Sequence, residues 1–184
     1  MRNTLDEAVE RLIDCFSRGG KLLVCGNGGS AADSAHIVGE LVKGFLKKRP
    51  AGEAIARATG CDRLQRGLPA IDLTAQGAVI AAIVNDLGGE YMFAQQVLAY
   101  GQPGDMLLGI STSGNARNVE LAMRAAKLKG AVCVGLTGRG GGRLRELSDI
   151  LIEADETETY RVQEEHIKLY HALCARVEAA FFVE

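Results

Sequence analysis

Apolar residues fall along this chain in two rhythms, and the rhythms alternate. In LDEAVERLIDCF (5–16) they recur every three or four positions, as on one face of a helix, and RGG ends the run. KLLVCG (21–26) is a short continuous apolar run closed by glycine, which reads as a strand buried on both faces. Helical spacing returns over 30–45, 76–86, 90–101, 115–129, a short stretch near 141–148, and a closing segment from about Tyr160 to Phe181. Strand-like runs are LPAIDL (68–73), DMLLGIS (105–111), AVCVGLT (131–137) and DILIEA (149–154). Five short apolar strands separated mostly by helices predict an α/β fold. Right-handed crossovers then give a three-layer αβα sandwich around a central five-stranded parallel sheet. No repeat of the solenoid kind is visible.

Residues 47–67, KKRPAGEAIARATGCDRLQRG, break this rhythm with a proline, several glycines and a basic excess. They read as a solvated excursion between helix and strand, with room for a short helix of its own. With 184 residues, the expectation is one domain over 1–184 carrying an excursion at 47–67.

Composition removes several function classes. Apolar residues make up 47% of the chain, ordinary for a soluble globular protein. The net charge of −2 gives no broad basic surface, so nucleic-acid binding is not expected. No apolar run approaches the ~20 residues that span a bilayer, so no membrane partner is expected either. The N-terminus is amphipathic and contains acids, unlike a signal peptide. Five scattered cysteines, an odd number with no C-x-x-C pair, suit a reducing cytoplasm.

Candidate chemistry begins with GNGGSA (26–31), between a strand and a helix. It formally matches G-x-G-x-x-A, but the dinucleotide fingerprint also needs an acidic residue about 20 positions on, and the next strand ends only near Asp72. What remains is a glycine turn at a helix start, where backbone N–H groups approach a ligand and Asn27 and Ser30 add polar side chains. STSGN (111–115) repeats the arrangement after a later strand. Ser113 or Asn115 would serve as a helix cap, but Ser111, Thr112 and Ser113 together also suit a phosphate monoester.

His36 and Glu40 are four apart and share a helix face. Gln163 and His171, eight apart on the closing helix, are separated by about 80° around its axis and face one way. Two imidazoles, a carboxylate and an amide oxygen would suit zinc if the helices met; otherwise His36 and Glu40 are a solvated pair. His166 falls off that line, near a polar flank, and reads as a surface histidine.

Four blocks, GNGGSAADSAH, GISTSGNARNVELAMRAAKLKG, GLTGRGGG and YRVQEEHIKLYHALC, together resemble the phosphoheptose isomerases, enzymes of the sugar isomerase (SIS) domain family with a flavodoxin-like sheet. The resemblance covers most of the chain from Lys21 onward, except 47–67. It implies isomerisation of sedoheptulose 7-phosphate to D-glycero-D-manno-heptose 7-phosphate through a metal-assisted enediol, the first step toward nucleotide-activated heptose. It implies zinc on His36, Glu40, Gln163 and His171, with Glu40 and His171 as the acid/base pair. It also implies substrate contacts from Asn27, Ser30, Glu40, Asn85, Asp86, Ser111, Thr112, Ser113 and Gln163, and a homotetramer with active sites between subunits.

The chain departs from the family pattern in four ways. Ala116 replaces the last hydroxyl of S-T-S-G-N-S, and Gly44 stands where an arginine is frequent. The N-terminus is shorter and the 47–67 stretch longer than usual. Two other readings of the same resemblance are a non-catalytic adaptor that binds the replication initiator DnaA, and an isomerase of a different sugar phosphate. The presence of both Glu40 and His171 speaks against the adaptor.

Overall fold

Leu22 and Val24 of β1 (Leu22–Cys25) belong to one hydrophobic cluster, Leu23 and Cys25 to another, and all four are buried. That alternation places β1 at the centre of a sheet covered on both sides. The computed structural model describes residues 4–182. Its other strands are β2 (Ala70–Asp72), β3 (Met106–Ser111), β4 (Val132–Thr137) and β5 (Ile150–Glu153). All pair in parallel in the order β2-β1-β3-β4-β5, so the predicted αβα sandwich is present.

One face is covered by α1 (Thr4–Ser17), α2 (Gly29–Val42) and α8 (Thr159–Phe181), packed on Leu22, Val24, Leu108 and Ile110. The other carries α5 (Met92–Tyr100), α6 (Arg117–Leu128) and α7 (Leu144–Leu147), around Leu23, Leu107 and Cys133. Two further helices, α3 (Glu53–Thr59) and α4 (Gly77–Asp86), lie outside these layers, and Ile83 is the one buried residue of the ten in α4. A 3₁₀ turn (Gly89–Tyr91) joins α4 to α5. No helix among the described residues is long and apolar enough to cross a membrane.

The chain reverses direction across the sheet between β1 and β3. From β1 it crosses to β2 on one side, then returns to β3 on the other. The loops after β1 and β3 therefore diverge, leaving a crevice at the strands' carboxyl ends.

Two expectations change. The helix expected over 30–45 ends at Val42, because the next backbone N–H groups turn elsewhere. Gly44 N–H donates to Gln65 Oε1 at 2.6 Å, while Phe45, Leu46 and Lys47 N–H donate to the carboxylate of Glu178 at 2.9, 2.7 and 3.1 Å. The 47–67 excursion is only partly solvated. Its short helix α3 buries nothing, yet Arg49 is just 1% exposed. Arg49 donates to Glu178 at 2.8 Å and to the carbonyls of Leu41 and Glu40 at 2.7 and 3.0 Å. An antiparallel bridge from Pro50 to Gln65 closes the base of the excursion.

His166 is a correction. It is 0% exposed, not on the surface. It belongs to the buried stripe Val162, His166, Tyr170, Leu173 and Val177, and its polar sequence neighbours Glu164, Glu165 and Lys168 lie off that stripe. Burial holds its ring below the ordinary histidine range, so it stays neutral.

Burial alone would push the Glu178 carboxyl up, but the Phe45 and Leu46 N–H groups, Arg49 and the Lys47 N–H outweigh it and hold it below the ordinary range. A depressed folded-state value means the stabilisation is present above the unfolded carboxylate range and is lost as pH falls through the lower folded value. Arg49→Met, leaving Glu178 buried without its cation, should cost about 3–5 kcal/mol by urea unfolding at neutral pH. That penalty should shrink steadily as the pH is lowered into the carboxylate range.

Candidate active site

The crevice between β1 and β3 is an open cleft of about 400 Å³, within the size range of small-molecule sites. Asn27, Gly28, Gly29 and Ser30 line it from the first loop, Ser111, Thr112, Ser113 and Ala116 from the second. Thr159 and Gln163 reach it from the start of α8. None of these lining residues is charged.

Glycine makes the walls possible. Gly28 has φ 55°, which lets the chain turn sharply into α2. A Cβ on Gly29 would meet the amide of Gln163, so the missing side chain leaves room for the end of that residue. On the second loop, Gly114 (φ 67°) leaves no space for a side chain because the Gly141 carbonyl occupies it. That contact fits the GLTGRGGG segment under the hydroxyl loop.

The two loops are also tied directly. Asn27 and Asn118 exchange side-chain amide hydrogen bonds of 2.9 and 2.8 Å. Asn115 does not cap α6. Its amide donates to Ser113 O at 2.9 Å, and its Oδ1 accepts the Arg143 N–H at 3.1 Å. The N-cap position, Ala116, has no capping side chain, and Asn118 Oδ1 accepts the Val119 N–H at 3.0 Å, so hydroxyls and the start of α6 share the cleft wall. Arg117, Arg124 and Arg143 converge instead on the buried Glu120, at 2.8, 3.1 and 3.6 Å. Burial would raise that carboxyl, and hydrogen bonds from Arg117 and Arg124 more than reverse the effect.

A second constellation forms where α2 meets α8. His36 Nε2 lies 3.1 Å from Glu40 Oε1 and 3.4 Å from His171 Nε2. One donor atom from each of the three falls within 4.8 Å of the others, so they can converge on one cation. Phe45 lies over His171, ring centroids 5.4 Å apart. Behind His36, Tyr170 Oη lies 2.9 Å from Nδ1 and 3.3 Å from Asp33 Oδ1. Burial pushes the Asp33 carboxyl up, opposed by that tyrosine hydrogen bond and by His36. Burial, then the charge of Asp33, raises the Tyr170 hydroxyl, which stays protonated.

The expected residues thus divide into three places. Asn27, Ser30, Ser111, Thr112, Ser113 and Gln163 meet in the cleft, and His36, Glu40 and His171 meet beside the α2–α8 contact. Gln163 stands two turns, about 12 Å, before His171 on the same helix, between the two groups. Asn85 and Asp86 lie apart. They are exposed at the end of α4, with Asn85 donating to Asp86 at 2.7 Å, and neither lines the cleft. Sequence reasoning missed Thr159, which its spacing, one helical turn before Gln163, marks as a neighbour on the same face. It also missed Asn118, Asp33 and Tyr170, whose partners are distant in sequence.

Comparison with known proteins identifies a family. A model of the SIS domain matches residues 1–138. The phosphoheptose isomerase of Burkholderia pseudomallei is 43% identical over 179 residues, covering 97% of this chain and 83% of the relative. The solved phosphoheptose isomerase of Neisseria gonorrhoeae superposes with TM-score 0.81 at 36% identity, over 96% of this chain and 85% of that one. That of Francisella tularensis gives 0.82 at 32%, over 95% and 84%.

The Gly29–Gln163 contact has a measurable consequence. Gly29→Ala should change stability in urea unfolding by less than about 1 kcal/mol, because the atoms a Cβ meets first are the end of the flexible Gln163 side chain, which can swing aside. It should instead displace that amide, so ligand binding in the cleft should weaken in Gly29→Ala and weaken no further when Gln163→Ala is added.

Proposed function

We propose a reaction from one premise: the chain belongs to the phosphoheptose isomerases, a family of SIS-domain proteins. It is an aldose–ketose isomerase that converts sedoheptulose 7-phosphate to D-glycero-D-manno-heptose 7-phosphate. The observation that carries our assignment of roles is the approach of His36, Glu40 and His171 beside an uncharged, hydroxyl-lined cleft.

Ser111, Thr112 and Ser113 hold the phosphate with the N–H groups at the start of α6. Asn27, held by Asn118, and Ser30 bind sugar hydroxyls, and Thr159 and Gln163 close the cleft from α8. Anchoring the phosphate presents C1 and C2 to Glu40 and His171, converting collision into orientation. Glu40 removes a proton from C1 of the ketose, giving an enediol, and returns a proton to C2. His171 moves the proton between O1 and O2, so the reaction has no net gain or loss of protons.

His36, Glu40 and His171, with Gln163 as fourth ligand, would hold zinc. One donor atom from each of the three lies within 4.8 Å of the others, and imidazole and carboxylate donors of this kind suit zinc. When bound, the ion supplies Lewis acidity to the sugar carbonyl.

Assembly follows from α4. Val79 and Val84 on this helix, with Leu87 after it, are exposed, Leu87 by 52%. Exposed apolar residues spread over this helix suit contact with a second copy, in a homotetramer. Such packing would bring Asn85 and Asp86 toward a neighbour's cleft, placing active sites between subunits. We place the reaction in the cytoplasm, at the start of nucleotide-activated heptose synthesis for lipopolysaccharide or another surface glycan.

Glu40→Gln should bind metal but lose turnover of sedoheptulose 7-phosphate by roughly a hundredfold or more. Full activity in that protein, with metal content verified, would remove Glu40 as the base. Val84→Glu should lower the mass seen by light scattering and depress activity together. An unchanged mass would exclude the α4 face from assembly.

A further inference from the structure

Cations on the flank of α6 and in the segments around β5 pair one to one with acids. Lys127 meets Asp149 at 2.6 Å, Arg145 meets Glu153 at 2.6 Å, and Arg139 meets Asp155 at 2.8 Å. Glu120 departs from that pattern, because three guanidiniums share its one carboxylate. Arg117 Nη1 and Arg124 Nη2 lie 2.8 and 3.1 Å from Oε1. Arg143 Nη1 lies 3.6 Å from Oε2, an oxygen that has no hydrogen bond. Among the described residues these three arginine side chains have no other hydrogen bond or ion pair. From this geometry we infer a phosphate-binding site on the flank of α6, built by Arg117, Arg124 and Arg143 and separate from the cleft.

Charge counting gives the ligand. Glu120 is 4% exposed, and one hydrogen-bonded cation already balances a buried carboxylate. The other two positive charges stand beside it with no acid of their own, in a chain whose net charge is −2. Like charges held this close repel, and nothing else in the cluster offsets them. A phosphate group brings close to two negative charges at neutral pH, which matches the surplus. Guanidinium forks also fit its oxygens better than an ammonium does. The buried carboxylate gathers the three arginines, while their side chains stay 51, 57 and 66% exposed, so an anion can reach them. Arg117 opens α6 beside Ala116 of the cleft wall, but Arg124 stands about 12 Å further along the helix than Ala116. The flank site therefore adjoins the cleft without using its hydroxyls. Its ligand is a phosphate group, either free or carried as an ester.

Equilibrium dialysis of the full chain against labelled inorganic phosphate tests this. A variant with Ser111→Ala, Thr112→Val and Ser113→Ala, which strips the cleft of its hydroxyls, should still bind one phosphate per subunit. Adding Arg124→Met should weaken that binding by about tenfold or more, because one of three guanidiniums is lost. Arg124→Met alone leaves Arg117 to balance Glu120 and should not change KM for sedoheptulose 7-phosphate. Arg143→Met should act in the same way, which keeps the test open if the Arg124 variant folds poorly. Displacement of the labelled ion by ADP would assign the site to a phosphate ester, and failure of ADP to displace it would assign the site to the free ion. The proposal is overturned if the hydroxyl-stripped variant binds no phosphate, or binds it equally well with either arginine replaced. If stripping the hydroxyls leaves total phosphate binding as in the wild type while Arg124→Met abolishes it, the flank site stands and the phosphate role of Ser111–Ser113 fails.

Discussion

The carboxylate of Glu178 holds together the parts of the protein on which the candidate site depends. It is fully buried and accepts four hydrogen bonds, three from the backbone just after α2 and one from Arg49. Arg49 then satisfies the carbonyls of Glu40 and Leu41, which the end of a helix leaves without partners. Its guanidinium also lies 4.5 Å from the centre of the Phe182 ring. Burying two charges is tolerable only when each is paired and their remaining hydrogen-bonding groups are met, as they are here. The result ends α2, anchors the 47–67 excursion and joins α2 to α8 in one arrangement. It also places Phe45 over His171, so the donor cluster inherits its rigidity from an ion pair outside the cluster.

The cleft depends on a different constraint, the reversal of strand order between β1 and β3. That reversal opens the crevice, and close backbone contacts then shape it. Gly29 admits Gln163, and Gly114 meets Gly141. Charge is kept out of the cleft wall. The arginines nearest the hydroxyl loop are drawn to Glu120, so recognition in the cleft falls to hydroxyls, amides and the start of α6. Such groups read direction as well as charge, which suits a ligand that must present one end to Glu40.

Much of this is legible in one sequence, and the failures have identifiable causes. Continuous apolar runs such as MLLGIS reveal buried parallel strands, because both faces of such a strand are covered. The resemblance carried by four motif blocks pointed to the family that comparison then showed. His166 misled because its neighbours along the chain are polar, while burial is set by the helix face. Arg49 misled because basic residues around it are solvated, and its acceptor is 129 positions away. Asn115 looked like a helix cap, but its side chain is spent on Ser113 and Arg143.

The sequence by itself determined what lies within one element. His36 and Glu40 share a face because a helix turns once in 3.6 residues, and the glycine turns follow from the absence of a side chain. What it could not determine is how one helix rotates against another. That His36 meets His171, and that Tyr170 stands behind its ring, depends on packing between α2 and α8 and on the Arg49–Glu178 pair. These contacts join residues more than a hundred positions apart. Helical periodicity carries no information over that distance, and only the closing of the core supplies it.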